Sequence, residues 1–245
     1  MSGSKTLEDW TALAAGLDFP RQAFIGGDFA DASSGATFDT VNPATGRVLT
    51  AVARTDEADV ERAVAVARAA FDDGRWSRRA PTERKAVLQR FADLIDRDRD
   101  QLAALETVDM GKPIGDSTTI DIPGAARCIR WYAEAIDKVY DEVAPTPHDQ
   151  LGLITREPVG VVACIVPWNF PLLMAAWKIG PALATGNSVI LKPSEKSPLT
   201  ALHVARLAAE AGLPDGVFNV LPGYGDTGAA LALHGDVDCV AFTGS

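Results

Sequence analysis

The sequence predicts an α/β protein built on a doubly wound parallel sheet, and three observations carry that expectation. The stretch 160–195, GVVACIVPWNFPLLMAAWKIGPALATGNSVILKPSE, runs from an apolar strand through Pro167-Trp168-Asn169-Phe170 into an apolar helix. It continues through Gly186-Asn187, a second strand at 188–191 and Lys192-Pro193-Ser194-Glu195. Strand, loop, helix, strand, loop is one βαβ unit. Two further strand signals, 217–221 and 237–242, follow with helical segments between them, which is the pattern of a sheet covered on both faces. Upstream, several amphipathic helices supply the covering layers.

In chain order, residues 1–20 read as a short helical lead-in. Phe24-Ile25-Gly26-Gly27-Asp28-Phe29 reads as a hairpin tip, and Val41-Asn42-Pro43-Ala44-Thr45-Gly46 as a turn between extended pieces. Together they suggest a small antiparallel sheet covering an edge. A helix at 56–71 buries Val60, Ala63, Val64, Val66 and Ala67, with Asp56, Glu57 and Asp59 at its amino end. A second starts at Thr82 and repeats Val87, Leu88, Phe91, Leu94 and Ile95 at spacings of three and four. A third, 98–110, carries Leu102, Leu105 and Val108 and stops at Gly111-Lys112-Pro113. A long fourth covers 122–139. Solvated faces account for the charges of these helices.

Between 141 and 157 the character changes: Pro145, Pro147, His148 and Gly152 mark turns, and Leu153-Ile154-Thr155-Arg156 reads as an edge strand. A protruding two-stranded arm fits, and it calls for a partner surface because a lone hairpin is marginal in water. A helix at 198–212 follows the βαβ unit, with His203 read as a surface or flanking residue. After the strand at 217–221, Pro222-Gly223-Tyr224-Gly225-Asp226-Thr227-Gly228 turns into a helix around 229–234.

The formal charge of −10 argues against nucleic-acid backbones and anionic membranes as general partners. No apolar run reaches membrane-spanning length and the amino end lacks a signal-peptide pattern, so the expected compartment is the cytoplasm. Cys128, Cys164 and Cys239, scattered and odd in number, suit a reducing compartment. Neither they nor His148, His203 and His234 match a metal spacing, so no metal is expected.

Both polar clusters of the βαβ unit fall at carboxyl ends of strands, where open α/β sheets bind ligands. Asn169 has two readings: its amide stabilises developing oxyanion charge, or it caps the loop. Lys192, directly after a β run, is either a solvated lysine or one placed to meet a ligand. Glu195 either accepts from ribose hydroxyls or is a solvated loop carboxylate. Gly223-Tyr224-Gly225-x-x-Gly228 fits the dinucleotide fingerprint formally, but it follows the wrong strand for that reading and equally describes a glycine-rich turn. Thr243-Gly244-Ser245, just past a strand, suggests phosphate binding if a helix follows. Cys164 alternates inward and reads as packing.

Pro167-Trp168-Asn169-Phe170, Trp177-Lys178-x-Gly180-Pro181-Ala182-Leu183, Gly186-Asn187, Lys192-Pro193-Ser194-Glu195 and Phe242-Thr243-Gly244-Ser245 occur in an order and spacing that strongly resemble the NAD(P)-dependent aldehyde dehydrogenase superfamily. The resemblance spans nearly the whole chain, from about Phe24. Within the family, Asp121-Ile122-Pro123-Gly124-Ala125-Ala126-Arg127 and 129–140 are most similar to bacterial γ-glutamyl-γ-aminobutyraldehyde dehydrogenases.

The resemblance implies a Rossmann-like cofactor domain: 1–140 as its first part, 141–159 as an oligomerisation arm and 160–245 as its core. It implies NAD as cofactor, with NADP admitted, an aldehyde as substrate, and homodimers or homotetramers at full length. Family chemistry proceeds through a cysteine thiohemiacetal and thioester to the carboxylic acid. Asn169 matches the oxyanion-binding asparagine and Lys178 a lysine implicated in deacylation. Lys192, Ser194 and Glu195 match the adenosine ribose site, where Glu195 favours NAD over NADP, and Ser245 the pyrophosphate. Ile165, Val166, Pro167, Trp168, Gly225, Phe242 and Gly244 match the cofactor cleft. Gly124, Phe170, Met174 and Trp177 match the substrate tunnel, with Gly124 leaving a roomy entrance. None of the three cysteines matches the nucleophile, and the family's nucleophile, general base and catalytic domain lie beyond this sequence. The chain is therefore expected to be the amino-terminal half of such an enzyme and inactive alone. Rival readings are a non-catalytic dinucleotide-binding or structural protein and a CoA-acylating relative.

Overall fold

The computed structural model describes residues 5–244. Its elements are α1 (Leu7–Ala15), β1 (Ala23–Ile25), β2 (Asp28–Ala30), β3 (Thr37–Val41), β4 (Val48–Ala53), α2 (Glu57–Asp72), α3 (Pro81–Arg97), α4 (Arg99–Met110), α5 (Ile114–Asp116), α6 (Ile122–Ala135), β5 (Glu142–Ala144) and β6 (Gly152–Ile154). They continue with β7 (Val161–Ile165), α7 (Pro171–Ala184), β8 (Ser188–Lys192), α8 (Leu199–Ala211), β9 (Phe218–Val220), α9 (Gly225–Leu233) and β10 (Cys239–Phe242).

The main sheet runs β10-β7-β8-β9-β1-β2. Strands β10, β7, β8 and β9 are parallel, while β1 pairs antiparallel with both β9 and β2. Side chains alternate between two cores: Val161, Ala163 and Ile190 face one way with Val60, Val64 and Leu231, and Val162, Cys164, Val189 and Leu191 face the other with Leu172, Ile179 and Leu202. Helices α2 and α9 cover the first face, α7 and α8 the second, and α3, α4 and α6 form a further layer. Burial on both faces is why the strands read as unbroken apolar runs.

Local chemistry sets the boundaries. Asp56 accepts from the amides of Ala58 and Asp59, and Asp59 accepts from the Asp56 amide, a reciprocal cap that starts α2. Gly26 and Gly27, both at positive φ, close the β1–β2 turn. Gly160, also at positive φ, leaves room for the Asp238 carboxylate to accept from the Val161 amide at 2.7 Å; a Cβ would overlap it. Asn187 accepts from the Gly160 amide at 3.0 Å and donates to Ala182 O, joining the ends of the βαβ unit.

Five expectations need correction. The two amino-terminal hairpins do not form one small sheet: β1–β2 extends the main sheet through the Phe24–Val220 pair, because β1 is buried on both faces, and β3–β4 stands apart. The helical charges are not all solvated, since Asp59, Glu106, Asp109 and Asp121 are buried. His203 is buried as well, with Nε2 2.9 Å from Asp98 Oδ2 where α8 crosses the α3–α4 junction. Helix α9 begins at Gly225, not near 229, and the helix expected at 122–139 is preceded by a π-helical turn, Ser117–Asp121, and ends in a 3₁₀ turn, Ile136–Lys138. Among the described residues, hairpin β5–β6 pairs only with itself, and it exposes Val143, Leu153 and Ile154.

Candidate active site

Parallel pairing brings three strand ends into line. Ile165, the last residue of β7, is in register with Lys192 of β8 on one side and Phe242 of β10 on the other. Beyond them the Val166 amide donates to Lys192 O at 3.1 Å and the Thr243 amide to Ile165 O at 3.0 Å. Pro167 has no amide to continue the ladder, so the chain turns away through Trp168, Asn169 and Phe170. Pro171 then opens α7 at a position where a missing amide costs nothing.

This edge opens into a cleft of ≈ 890 Å³. Ile165, Val166, Pro167, Trp168, Asn169, Lys192, Ser194, Glu195, Gly225, Phe242 and Gly244 all line it. Ser245, the remaining residue expected at the cofactor, lies outside the described residues. Lys192 is 5% exposed, and its Nζ is 3.9 Å from Glu195 Oε2. Burial pulls its ammonium below the ordinary lysine range, while the carboxylates of Glu195 and Asp226 oppose the shift. An ammonium held this far from water is poised for a ligand's acceptor oxygens.

The glycine-rich turn before α9 divides in two. Gly223 is packing: a Cβ there would collide with Thr227, whose hydroxyl donates to Thr55 O at 2.6 Å. Gly225 and Gly228 line the cleft, and a Cβ on Gly225 would meet no neighbouring atom. The open backbone at the start of α9 and the buried cation across from it fit an anionic, ribose-bearing cofactor.

Lys178 on α7 donates to Thr243 Oγ1 at 2.7 Å, tying that helix to the segment after β10. A second cavity, ≈ 560 Å³ and mostly apolar, lies between α6 and α7. Gly124 and Trp177 line it with Cys128, Trp131, Tyr132 and Leu173. A Cβ on Gly124 would stand 3.2 Å from Leu173 Cδ1, so a larger residue there would narrow the space. Phe170 and Met174 are not among its lining residues; Met174 is half-buried against the main core.

Cys164 is sealed beneath the cleft, and burial pushes its thiol up to about 12. At neutral pH such a thiol holds its proton, the state of a packing residue rather than of a thiolate. Burial also raises Cys128, while Cys239 is exposed.

Sequence reasoning missed a set of buried ionisable groups beside the site. Asp109 accepts from the Thr40 hydroxyl at 2.5 Å and from the Leu199 amide at 2.9 Å, capping α8, and burial lifts it to about 7 against those two hydrogen bonds. Glu106 is fully buried, and burial with the neighbouring Asp121 raises it to about 7. A signal was present: Glu106 and Asp109 each follow a core leucine, Leu102 and Leu105, by one helical turn, and so fall on the apolar stripe.

The sequence profile of the Aldehyde dehydrogenase family matches residues 29–245. The chain belongs to the aldehyde dehydrogenase family. It is 56% identical to the NADP/NAD-dependent aldehyde dehydrogenase PuuC of Escherichia coli (strain K12), over 96% of this chain and 48% of that protein. The γ-glutamyl-γ-aminobutyraldehyde dehydrogenase of Burkholderia cenocepacia J2315 superposes with a TM-score of 0.97 at 64% identity, covering 98% of this chain and 49% of the other. An indole-3-acetaldehyde dehydrogenase of P. syringae, solved in complex with NAD+ and IAA, superposes with a TM-score of 0.98 at 63% identity over 99% of this chain and 49% of its own. The chain thus spans about half the length of the relatives it matches.

Proposed function

We propose that this chain is the cofactor-binding part of an enzyme that oxidises an aldehyde to the carboxylic acid with NAD, and less readily with NADP. The substrate class is an amino- or γ-glutamylamino-aldehyde, in keeping with the name of the Burkholderia cenocepacia relative. The observation that carries the reading is that Asn169 and Lys192 line one cleft at adjacent strand ends, an amide donor and a buried cation facing the same space. The Asn169 amide donates to the aldehyde oxygen as it gains negative charge. Lys192 and Glu195 take the ribose hydroxyls of the adenosine half, and Gly225 and Gly244 leave the backbone open to the diphosphate. The nicotinamide, when bound, accepts the hydride.

Lys178 holds Thr243 beside the nicotinamide end, and the apolar cavity between α6 and α7 receives the substrate's tail. The exposed apolar side chains of β5–β6 are the surface through which copies of the enzyme associate, as dimers or tetramers. Free cysteines fit the reducing cytoplasm.

Cys164 is buried and protonated and no cysteine is among the described residues that line the cleft, so these residues by themselves supply a cofactor site and an oxyanion donor without a thiolate. The test compares this chain with a protein of its relatives' length, following aldehyde-dependent formation of reduced nicotinamide. The longer protein is expected to turn over and the chain alone is not. Turnover by the purified chain, or none by the longer protein, contradicts the proposal.

A further inference from the structure

Lys112 sits directly after Gly111, whose left-handed backbone ends α4. Its ammonium lies 2.6 Å from Asp121 Oδ1, 3.9 Å from Glu106 Oε1 and 3.7 Å from the centroid of the Phe170 ring. The lysine side chain is 10% exposed, and those of Asp121 and Glu106 are 1% and 0%. Neither Glu106 oxygen makes a hydrogen bond of ordinary geometry among the described residues, although the Leu172 backbone amide faces it and favours its charged form. One cation and two carboxyl groups are thus buried at the foot of α7.

Such a cluster is a poor way to stabilise a fold. Desolvating three ionisable groups costs about as much as their attraction returns, and apolar side chains of the same volume do as well or better. What the cluster does is grip one turn from two sides. Lys112 lies on the ring of Phe170, and Glu106 faces the amide of Leu172, two residues further on. The turn between Pro167 and Leu172 carries Asn169, whose neighbours Trp168 and Phe170 are both exposed. A cation on a ring face gains strength as it loses water, and the Lys112 side chain is largely buried while the Phe170 ring stays partly exposed.

We infer that Lys112, anchored by Asp121 and Glu106, is a positioning residue that fixes the Phe170 ring and thereby the direction of the Asn169 amide. This rests on the reading of Asn169 as the oxyanion donor. Lys112 touches neither substrate nor cofactor; it acts on turnover by keeping the donor aimed.

The test uses the protein at its relatives' length with Lys112→Met, Lys112→Arg, Phe170→Leu and the Lys112→Met/Phe170→Leu double variant. Lys112→Met is expected to lower kcat about 10-fold while the aldehyde KM and the NAD Kd stay within about twofold. Lys112→Arg, which restores a cation over the ring, is expected to recover most of kcat. The double variant is expected to lose no more than the worse single variant, because both changes break one contact. If Lys112→Met does not fold, Asp121→Asn keeps the shape, loosens the ammonium and carries the same expectation. An active unmodified protein whose kcat is indifferent to these changes, or losses that multiply in the double variant, overturns the positioning role alone. An unmodified protein that oxidises no aldehyde overturns the proposed function, and the positioning role with it.

Discussion

The Val166 amide donates to the Lys192 carbonyl at 3.1 Å, one residue past the Ile165–Lys192 pair that closes the β7–β8 ladder. That bond locks the strand leading to Asn169 against the strand ending in Lys192. The two groups assigned to different reactants, aldehyde oxygen and ribose, are therefore held by one backbone contact. Perturbing either side chain should separate the two functions cleanly, because the backbone that relates them stays in place.

In the proposed function, Glu195 is the specificity side of that arrangement. A carboxylate beside the ribose repels a 2′-phosphate, and Glu195→Gln removes the charge while keeping hydrogen-bonding capacity. The ratio of kcat/KM for NADP to that for NAD should rise by about 10-fold or more. Initial-rate kinetics with each cofactor at a fixed aldehyde concentration measures it.

Cys164 tests the claim that no nucleophile lies within this stretch. Its side chain is fully buried between the sheet and α7. Cys164→Ala should lower unfolding free energy by about 1–2 kcal/mol through lost packing. In the protein at its relatives' length, turnover should be unchanged. Denaturant titration and kcat, measured on the same preparation, check both halves.

Asp109 makes stability depend on pH with a defined sign. Its folded-state value of about 7 lies above the ordinary carboxylate value, so the folded protein holds the proton over a range where the unfolded chain has lost it. Stability from this group is therefore greatest at low pH and falls as pH rises from about 4 to about 7, levelling off above. Glu106, also at about 7, slopes the same way. Asp109→Asn cannot ionise, yet keeps an oxygen for the Leu199 amide and turns its NH2 toward the Thr40 hydroxyl, which can accept. The fall in unfolding free energy between pH 5 and pH 8 should shrink by on the order of 3 kcal/mol in the variant. Denaturant midpoints across that range supply the measurement.

The parts of this structure legible in the sequence are those set by local chemistry. The Asp56 cap, the Gly26-Gly27 turn, the apolar period of α3 and the polar ends of β7 and β8 each depend on residues a few positions apart. What escaped reading depends on distant partners. Nothing near Phe24 announces that it pairs with Val220, and nothing near His203 announces Asp98. The buried carboxylates of α4 escaped because helical charges are usually solvated. Only the packing of Thr40, Leu199 and Lys112 around them makes burial tolerable. In the site itself, Asn169, Lys192 and Glu195 were readable as polar groups at strand ends and the apolar and glycine lining of the cleft only through the family resemblance, whereas the support beneath Phe170 required the fold.

The most direct test of the account is Asn169→Ala in the protein at its relatives' length, with kcat and NAD Kd measured on the same enzyme. An amide that serves only the developing oxyanion predicts a loss of about 100-fold or more in kcat, with the NAD Kd within about twofold of the unmodified enzyme. A large loss of NAD affinity with kcat unchanged would contradict it.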